Sequence, residues 1–168
     1  MPKKLLFLCV AAVALAGGVW LAQNRNAPVD AEFWAISFPD LEGQAQAMAR
    51  WRGQVIVLNF WASWCAPCRE EVPDFADLRA QYRAKGVEFV GIAVDTPERV
   101  TTFLREFPVD YPILIGEGAA THLAERLGNP SGALPYTIVL DRDGRVVMRH
   151  LGRLDRGTLD AALRKFAT

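Results

Sequence analysis

The chain has 168 residues, of which 51% are apolar, so one ordinary domain with a real core fits it, together with a short appendage. Nineteen basic and nineteen acidic residues cancel, which leaves no electrostatic footprint for nucleic acid. Three cysteines are too few for a disulfide-stapled scaffold.

Met1-Pro2-Lys3-Lys4 is a basic tip, and Leu5 to Ala22 then runs without a charge. That is the short end of a membrane-spanning length. Residues 1–22 read as an uncleaved signal anchor, with Lys3 and Lys4 keeping the tip in the cytoplasm and Trp20 suited to an interface. The competing reading is a signal peptide cleaved near Ala16, after the small-residue stretch Ala14-Leu15-Ala16. Both readings export the domain. No lipobox precedes Cys9, which reads as a small apolar residue of the span.

Residues 23–32 are polar, contain Pro28, and read as a linker; the folded domain is expected over 33–168. Phe33 to Phe38 alternates through Trp34, Ile36 and Phe38 and predicts a strand, with Gly43 closing a hairpin. Gln44 to Arg52 fits either a helix or a second hairpin strand, and Gly53-Gln54 a turn. Val55 to Phe60 is a β-branched run of the kind buried on both faces of a sheet. From Cys65 the period changes: Val72, Phe75, Leu78 and Tyr82 line one side of a helix. Pro67 fits its first turn, Pro73 is expected to kink it, and Gly86 caps its end.

Val87 to Val94 predicts a second buried strand, completing a βαβ unit. Thr96 and Pro97 open a helix as N-cap and first residue, and it stops before Pro108. A short strand over 111–115, a helix over 118–127 and a strand over 135–140 follow. The turn Asp141-Arg142-Asp143-Gly144 returns the chain as a hairpin through Arg145 to Arg149. A last helix begins at the N-cap Asp155 and buries Leu159, Ala162, Leu163 and Phe166. The fold class is therefore α/β, a βαβ half followed by a ββα half, with a mixed sheet, helices on both faces and an N-terminal β-hairpin extension.

The chemistry concentrates in Trp64-Cys65-Ala66-Pro67-Cys68, where a strand turns into a helix. At a helix start the unpaired N–H groups and the dipole favour a thiolate, which is the nucleophilic form. A zinc site needs two more ligands, and only Cys9, His122 and His150 remain, each alone, so no metal site is assigned. A purely structural disulfide would close a very small loop and gain little. The redox reading fits better: an exposed Cys65 attacks a partner disulfide, and a more buried Cys68 resolves the mixed disulfide. Trp61 and Trp64 then offer a flat apolar wall, at least one of them being core. No cofactor beyond a redox-active Cys65–Cys68 disulfide is called for.

The segment Asn59-Phe-Trp-Ala-Ser-Trp-Cys-Ala-Pro-Cys-Arg-Glu-Glu71-Val-Pro73 resembles the active-site segment of the TlpA-like thioredoxin family. That family includes the membrane-anchored ResA and CcmG/DsbE proteins of cytochrome c maturation. The segments 86–95, 134–144 and 150–152 resemble its second central strand, its cis-proline strand and the glycine before its last helix, so the likeness covers 33–168. It implies a thioredoxin-like fold and a thiol-disulfide oxidoreductase that reduces exported proteins with electrons from a membrane thiol donor. Its substrates would be apocytochromes c, copper-site assembly proteins or a broader set of exported proteins. It implies an inner-membrane tether with the catalytic domain in the periplasm. Pro135 matches the cis proline, and Leu134 would offer backbone hydrogen bonds to an extended partner. Trp64, Ala66 and Pro67 complete the partner surface. Asn59 stands where many thioredoxins carry a buried aspartate, and Glu71 matches the glutamate of the anchored subfamily, so the proton-acceptor role moves to Glu71, raised by burial.

There are two rivals. A copper module of the Sco type would use Cys65, Cys68 and His150, although the spacing of the cysteines is shorter than that pattern. A peroxiredoxin needs a hydroxyl residue where Ala62 stands.

Overall fold

The computed structural model describes residues 28–166. The signal-anchor segment 1–22 lies outside the described residues, as does the first half of the linker. Among the described residues no helix is long and apolar enough to cross a membrane.

A five-stranded sheet carries the domain, in the order β5-β4-β3-β6-β7. Its strands are β3 (Val55–Trp61), β4 (Val87–Ala93), β5 (Ile113–Ile115), β6 (Tyr136–Leu140) and β7 (Val146–Leu151). β3, β4 and β5 run parallel, and β6 and β7 add antiparallel. The β-branched run explains the centre: every residue of β3 is buried. Its odd-numbered side chains Val55, Val57 and Trp61 pack under α2 (Ala66–Tyr82), α3 (Pro97–Glu106) and α5 (Arg156–Leu163). Its even-numbered Ile56, Leu58 and Phe60 pack against α4 (Glu117–Arg126) and the N-terminal extension. This is the thioredoxin-like α/β fold, with helices on both faces. Alternation along one strand thus feeds two apolar layers, each burying roughly 2 kcal/mol per large side chain.

The extension differs from the expected strand over Phe33–Phe38. Ala31–Ala35 is a short helix, α1, and only Ser37–Pro39 is strand, β1. The reason is a cap: Asp30 accepts from the Phe33 N–H at 2.8 Å, which winds the chain before the alternation can be used. The linker also ends earlier than expected, because Val29 N–H donates to the Gly144 carbonyl and Pro28 bridges Arg145. Trp34 lies over that turn, where a Cβ on Gly144 would meet its ring at 2.9 Å, and Gly144 has φ +78°. Both facts demand glycine there.

β1 pairs antiparallel with β2 (Ala45–Ala47), so the hairpin extension is present, turned by Gly43 at φ 78°. Gln44 to Arg52 is neither of the two expected elements throughout: three residues of strand pass into a 3-10 turn over Met48–Trp51. The fully buried Met48 and nearly buried Trp51 fix that turn on the sheet.

α2 runs through Pro73 and tightens into 3-10 geometry over Arg83–Lys85 before Gly86, at φ 76°, ends it. Thr96 occupies the N-cap position of α3, but its side chain makes no cap bond; Asp95 Oδ1 accepts from the Thr96 N–H instead, at 2.9 Å. Asp155 caps α5 as expected, accepting from the Thr158 N–H.

Candidate active site

β3 ends at Trp61, and the turn Ala62–Cys65 closes with Cys65 N–H donating to the Ala62 carbonyl at 3.2 Å. Cys65 is the N-cap of α2, and its Sγ accepts from the Cys68 N–H at 3.3 Å. Cys65 and Cys68 are joined as a disulfide, with Sγ–Sγ 2.04 Å and Cα–Cα 5.3 Å. A sulfur placed on the free N–H groups of a helix start gains most when it is a thiolate. Cys65 is less open than expected, at 6% exposure in this oxidised form, and Cys68 is at 0%. The order of accessibility still fits an attacking Cys65 and a resolving Cys68.

The preceding turn is held from β4. Asp95, itself buried, accepts from both the N–H (2.9 Å) and the hydroxyl (2.6 Å) of Ser63 with one oxygen. The sequence pattern had given Asp95 no role; an acid straight after a buried strand is the signal that could have found it. Arg69, one turn into α2, reaches the Ser63 carbonyl and lies over the rings of Phe103 and Phe107 at 5.2 and 5.3 Å.

Of the two tryptophans, Trp61 is core, fully buried against Phe103 at 5.1 Å, and Trp64 is the wall, 60% exposed beside Cys65. Ala66 and Pro67 are exposed on the first turn of α2. The Leu134–Pro135 peptide is cis. β6 pairs Tyr136 with Phe60, so the register carried one step further sets Pro135 opposite Trp61, at the cysteine end of the sheet. The Pro135 carbonyl accepts from the Gly152 N–H at 2.8 Å, while Leu134 is half-buried.

Glu71 lies one turn beyond Cys68, fully buried beneath α2. Its Oε1 accepts from Asn59 Nδ2 at 2.8 Å and its Oε2 from the Leu154 N–H at 3.0 Å. Burial pushes its carboxyl up to about 7 from an ordinary 4.5, against the pull of those two donors and of the Arg153 charge. A carboxyl held near neutrality can take a proton from a thiol and give it back. Asn59 also donates to Thr137 Oγ1, at 3.0 Å. Thr137 and Leu154 were not singled out in the sequence; a hydroxyl in a buried strand was the one available sign for the first, and a backbone donor leaves none.

His150 does not join the sulfurs in a ligand set, which corrects the copper alternative. Its Nε2 pairs with the Arg153 carbonyl at 3.1 Å, and among the described residues no group of three or more His, Cys, Asp or Glu side chains could hold a metal. His122 is on the surface of α4, beside Glu125 at 3.5 Å.

A redoxin family model matches residues 27–163. The chain belongs to the redoxin family. A thiol-disulfide oxidoreductase ResA from Bacillus cereus is 29% identical over 172 residues, covering 97% of this chain and 96% of the relative. A crystal structure from Chlorobium tepidum, described as a putative thiol:disulfide interchange protein DsbE, is 26% identical. It superposes with a TM-score of 0.71 over 79% of this chain and 93% of its own. A thioredoxin-related protein from Neisseria meningitidis serogroup B is 30% identical, with a TM-score of 0.69 over 76% of this chain and 96% of its own. The resemblance to the TlpA-, ResA- and CcmG-like redoxins carried by 59–73 therefore extends over the folded domain.

Proposed function

We propose that this redoxin is a thiol-disulfide oxidoreductase working by dithiol-disulfide exchange at Cys65 and Cys68. The observation that carries the reading is the Cys65–Cys68 disulfide at the start of α2 with Glu71 buried one turn behind it. In the reducing direction the Cys65 thiolate attacks a partner disulfide. One partner sulfur bonds to Cys65 and the other leaves as a thiolate. Glu71 then takes the Cys68 proton, the Cys68 thiolate attacks Cys65 Sγ, and the second partner sulfur departs with its electron pair. The partner leaves reduced by two electrons and the enzyme holds the disulfide. Trp64, Ala66, Pro67, Leu134 and the cis Pro135 form the surface on which the partner strand lies.

The basic tip Lys3-Lys4 and the uncharged run from Leu5 to Ala22 support an extracytoplasmic setting. Residues 1–22 serve as a single-pass anchor in the bacterial inner membrane, holding the domain in the periplasm near a membrane thiol donor; cleavage near Ala16 would instead release it. Its substrates are disulfides of exported proteins, such as those of cytochrome c maturation or copper-site assembly.

A Cys68→Ser variant tests the exchange. Incubated with a disulfide-bonded substrate, it should hold a mixed disulfide on Cys65, visible as a mass increase that thiol reductant removes. Absence of any such adduct, in a folded variant, would sink the reading.

A further inference from the structure

Charge is sorted along the sheet, and the end where β3 begins collects the bases. Four chain segments meet there. The Val55 N–H, first in β3, donates to the Gly86 carbonyl at 3.0 Å, which brings in the 3-10 turn Arg83–Lys85. From the turn between β6 and β7, the Arg142 guanidinium donates to the Lys85 carbonyl at 3.2 Å and to the Phe166 carbonyl at 2.8 Å. Arg164 and Lys165 precede Phe166 at the end of α5. Arg52, in the turn that enters β3, lies over the Trp34 ring at 5.8 Å, the ring that also packs on Gly144.

Residues 52–54, 83–86, 141–145 and 164–166 together hold seven Lys and Arg against two Asp. The other described residues hold nine Lys and Arg against seventeen Asp and Glu, so the excess of each sign is spatial, not compositional. All seven bases are exposed. Arg145 is paired with Asp143, and Arg164 with Asp160. Among the described residues no carboxylate stands in ion-pair reach of Arg52, Arg83, Lys85 or Lys165. The acids that enter the fold at this end, Asp30 and Glu32, are taken up by Arg126. A surface shaped for solubility alone intersperses both signs; a field of one sign at one end calls for an anionic counterpart.

The chain itself says what that counterpart is. Pro28 bridges Arg145 at this same end, and only residues 23–27 separate it from Ala22, the last of the uncharged run. Such a link reaches at most about 20 Å even when fully extended. It adds one more base, Arg25, and no acid. We propose that this end of the domain docks on the anionic headgroups of the membrane that holds residues 1–22. The proposal rests on the anchor reading of that segment. Recognition is by charge, through exposed guanidinium and ammonium groups beside a membrane span. It acts over about 8 Å at physiological ionic strength, so the short link is what keeps the bases in range. The acidic remainder of the domain is repelled by the same headgroups. Attraction at one end and repulsion elsewhere select one orientation, with Cys65 beyond the far end of β3.

The test places the full chain in nanodiscs of phosphatidylcholine, alone or mixed with phosphatidylglycerol, each with a trace of lipid carrying a paramagnetic headgroup. The NMR amide signals of residues 83–86 and 141–145 should broaden several-fold more in the phosphatidylglycerol discs, and those of Trp64 and Cys65 in neither. The excess should vanish at about 1 M salt, where screening shortens the reach to about 3 Å. It should vanish also in the triple variant Arg83→Glu, Lys85→Glu, Lys165→Glu. That variant alters exposed groups away from the cysteines, so its exchange with a soluble disulfide should match the wild type and show that it is folded. Equal broadening in both discs means that the link alone holds this end near the surface, and overturns the docking. Sharp signals at 83–86 in a chain held by the discs overturn it too, and leave the end to an acidic partner protein or to solvent. In both cases the anchor reading stands. A chain that stays with neither disc overturns the anchor and the docking together. Signal changes here that follow protein concentration rather than lipid assign the end to a second copy and overturn the proposal.

Discussion

Leu154 and Glu71, 83 residues apart, are joined by a hydrogen bond from the Leu154 N–H to Glu71 Oε2 at 3.0 Å. The bond ties the loop before α5 to the helix that carries both cysteines. Because the donor belongs to the backbone, no substitution at 154 other than proline removes it, and the acid keeps one fixed donor in either protonation state. The loop is held again from outside, where Arg153 lies 3.4 Å from Glu70 and 4.0 Å from Asp74.

Glu71 should leave its mark on stability against pH. Burial raises its carboxyl to about 7 in the folded chain from about 4.5. The folded state therefore binds the proton more tightly than the unfolded one. The contribution is full below about pH 4.5 and is lost as pH rises through about 7, amounting to about 3 kcal/mol. Urea denaturation at a series of pH values should show that decline in the wild type and not in Glu71→Gln. The same slope in both proteins would assign the proton to another group.

Asp95 should matter to the cysteine turn more than its distance in sequence suggests. Asp95→Ala strips the Ser63 N–H and hydroxyl and the Thr96 N–H of their acceptor. The expected cost is about 2 kcal/mol of stability, from partly buried donors left unpaired. Insulin reduction should also slow, because Cys65 is two residues from the loosened Ser63. Full activity in a destabilised Asp95→Ala would show that the turn holds its shape unaided.

Trp64 offers the opposite signature. It is 60% exposed, so Trp64→Ala should change stability by less than about 0.5 kcal/mol. Its loss should fall on partner binding, with KM for a protein disulfide rising several-fold and the rate toward a small disulfide reagent unchanged. Equal losses on both substrates would place Trp64 in the chemistry instead.

Gly91 is fixed by crowding rather than by backbone conformation. A methyl group there would come within 2.8 Å of Ile113 Cδ1 and 3.0 Å of Trp61 Nε1. Gly91→Ala should therefore cost about 1–3 kcal/mol through overpacking, read as a lower melting temperature. A neutral substitution would mean that β5 yields more readily than a packed interior allows.

The elements that were legible in the sequence are those with a single strong pattern. The β-branched run of β3 admits no helix, and the glycine after Lys85 marks the end of α2 whichever turn precedes it. The cysteine pair announced its own chemistry, and Glu71 was reachable because Asn59 leaves the strand position without an acid. The first helix was not legible, because Trp34, Ile36 and Phe38 alternate as a strand does. One aspartate at position 30 outweighs that pattern locally. The struts of the site were hidden for a different reason. Ser63 and Asp95, and Glu71 and Leu154, meet only after the sheet has formed, and nothing local in either partner names the other.

The bond of Val29 to the turn at Gly144 also settles the bearing of the whole domain. That turn follows β6, which runs opposite to β3, so it lies at the pole where β3 begins, while Cys65 follows the pole where β3 ends. The seven residues of β3 separate the two by about 20 Å. A chain attached ahead of Pro28 thus grips the molecule by its rear. The disulfide lies at the opposite end of the sheet from the point of attachment.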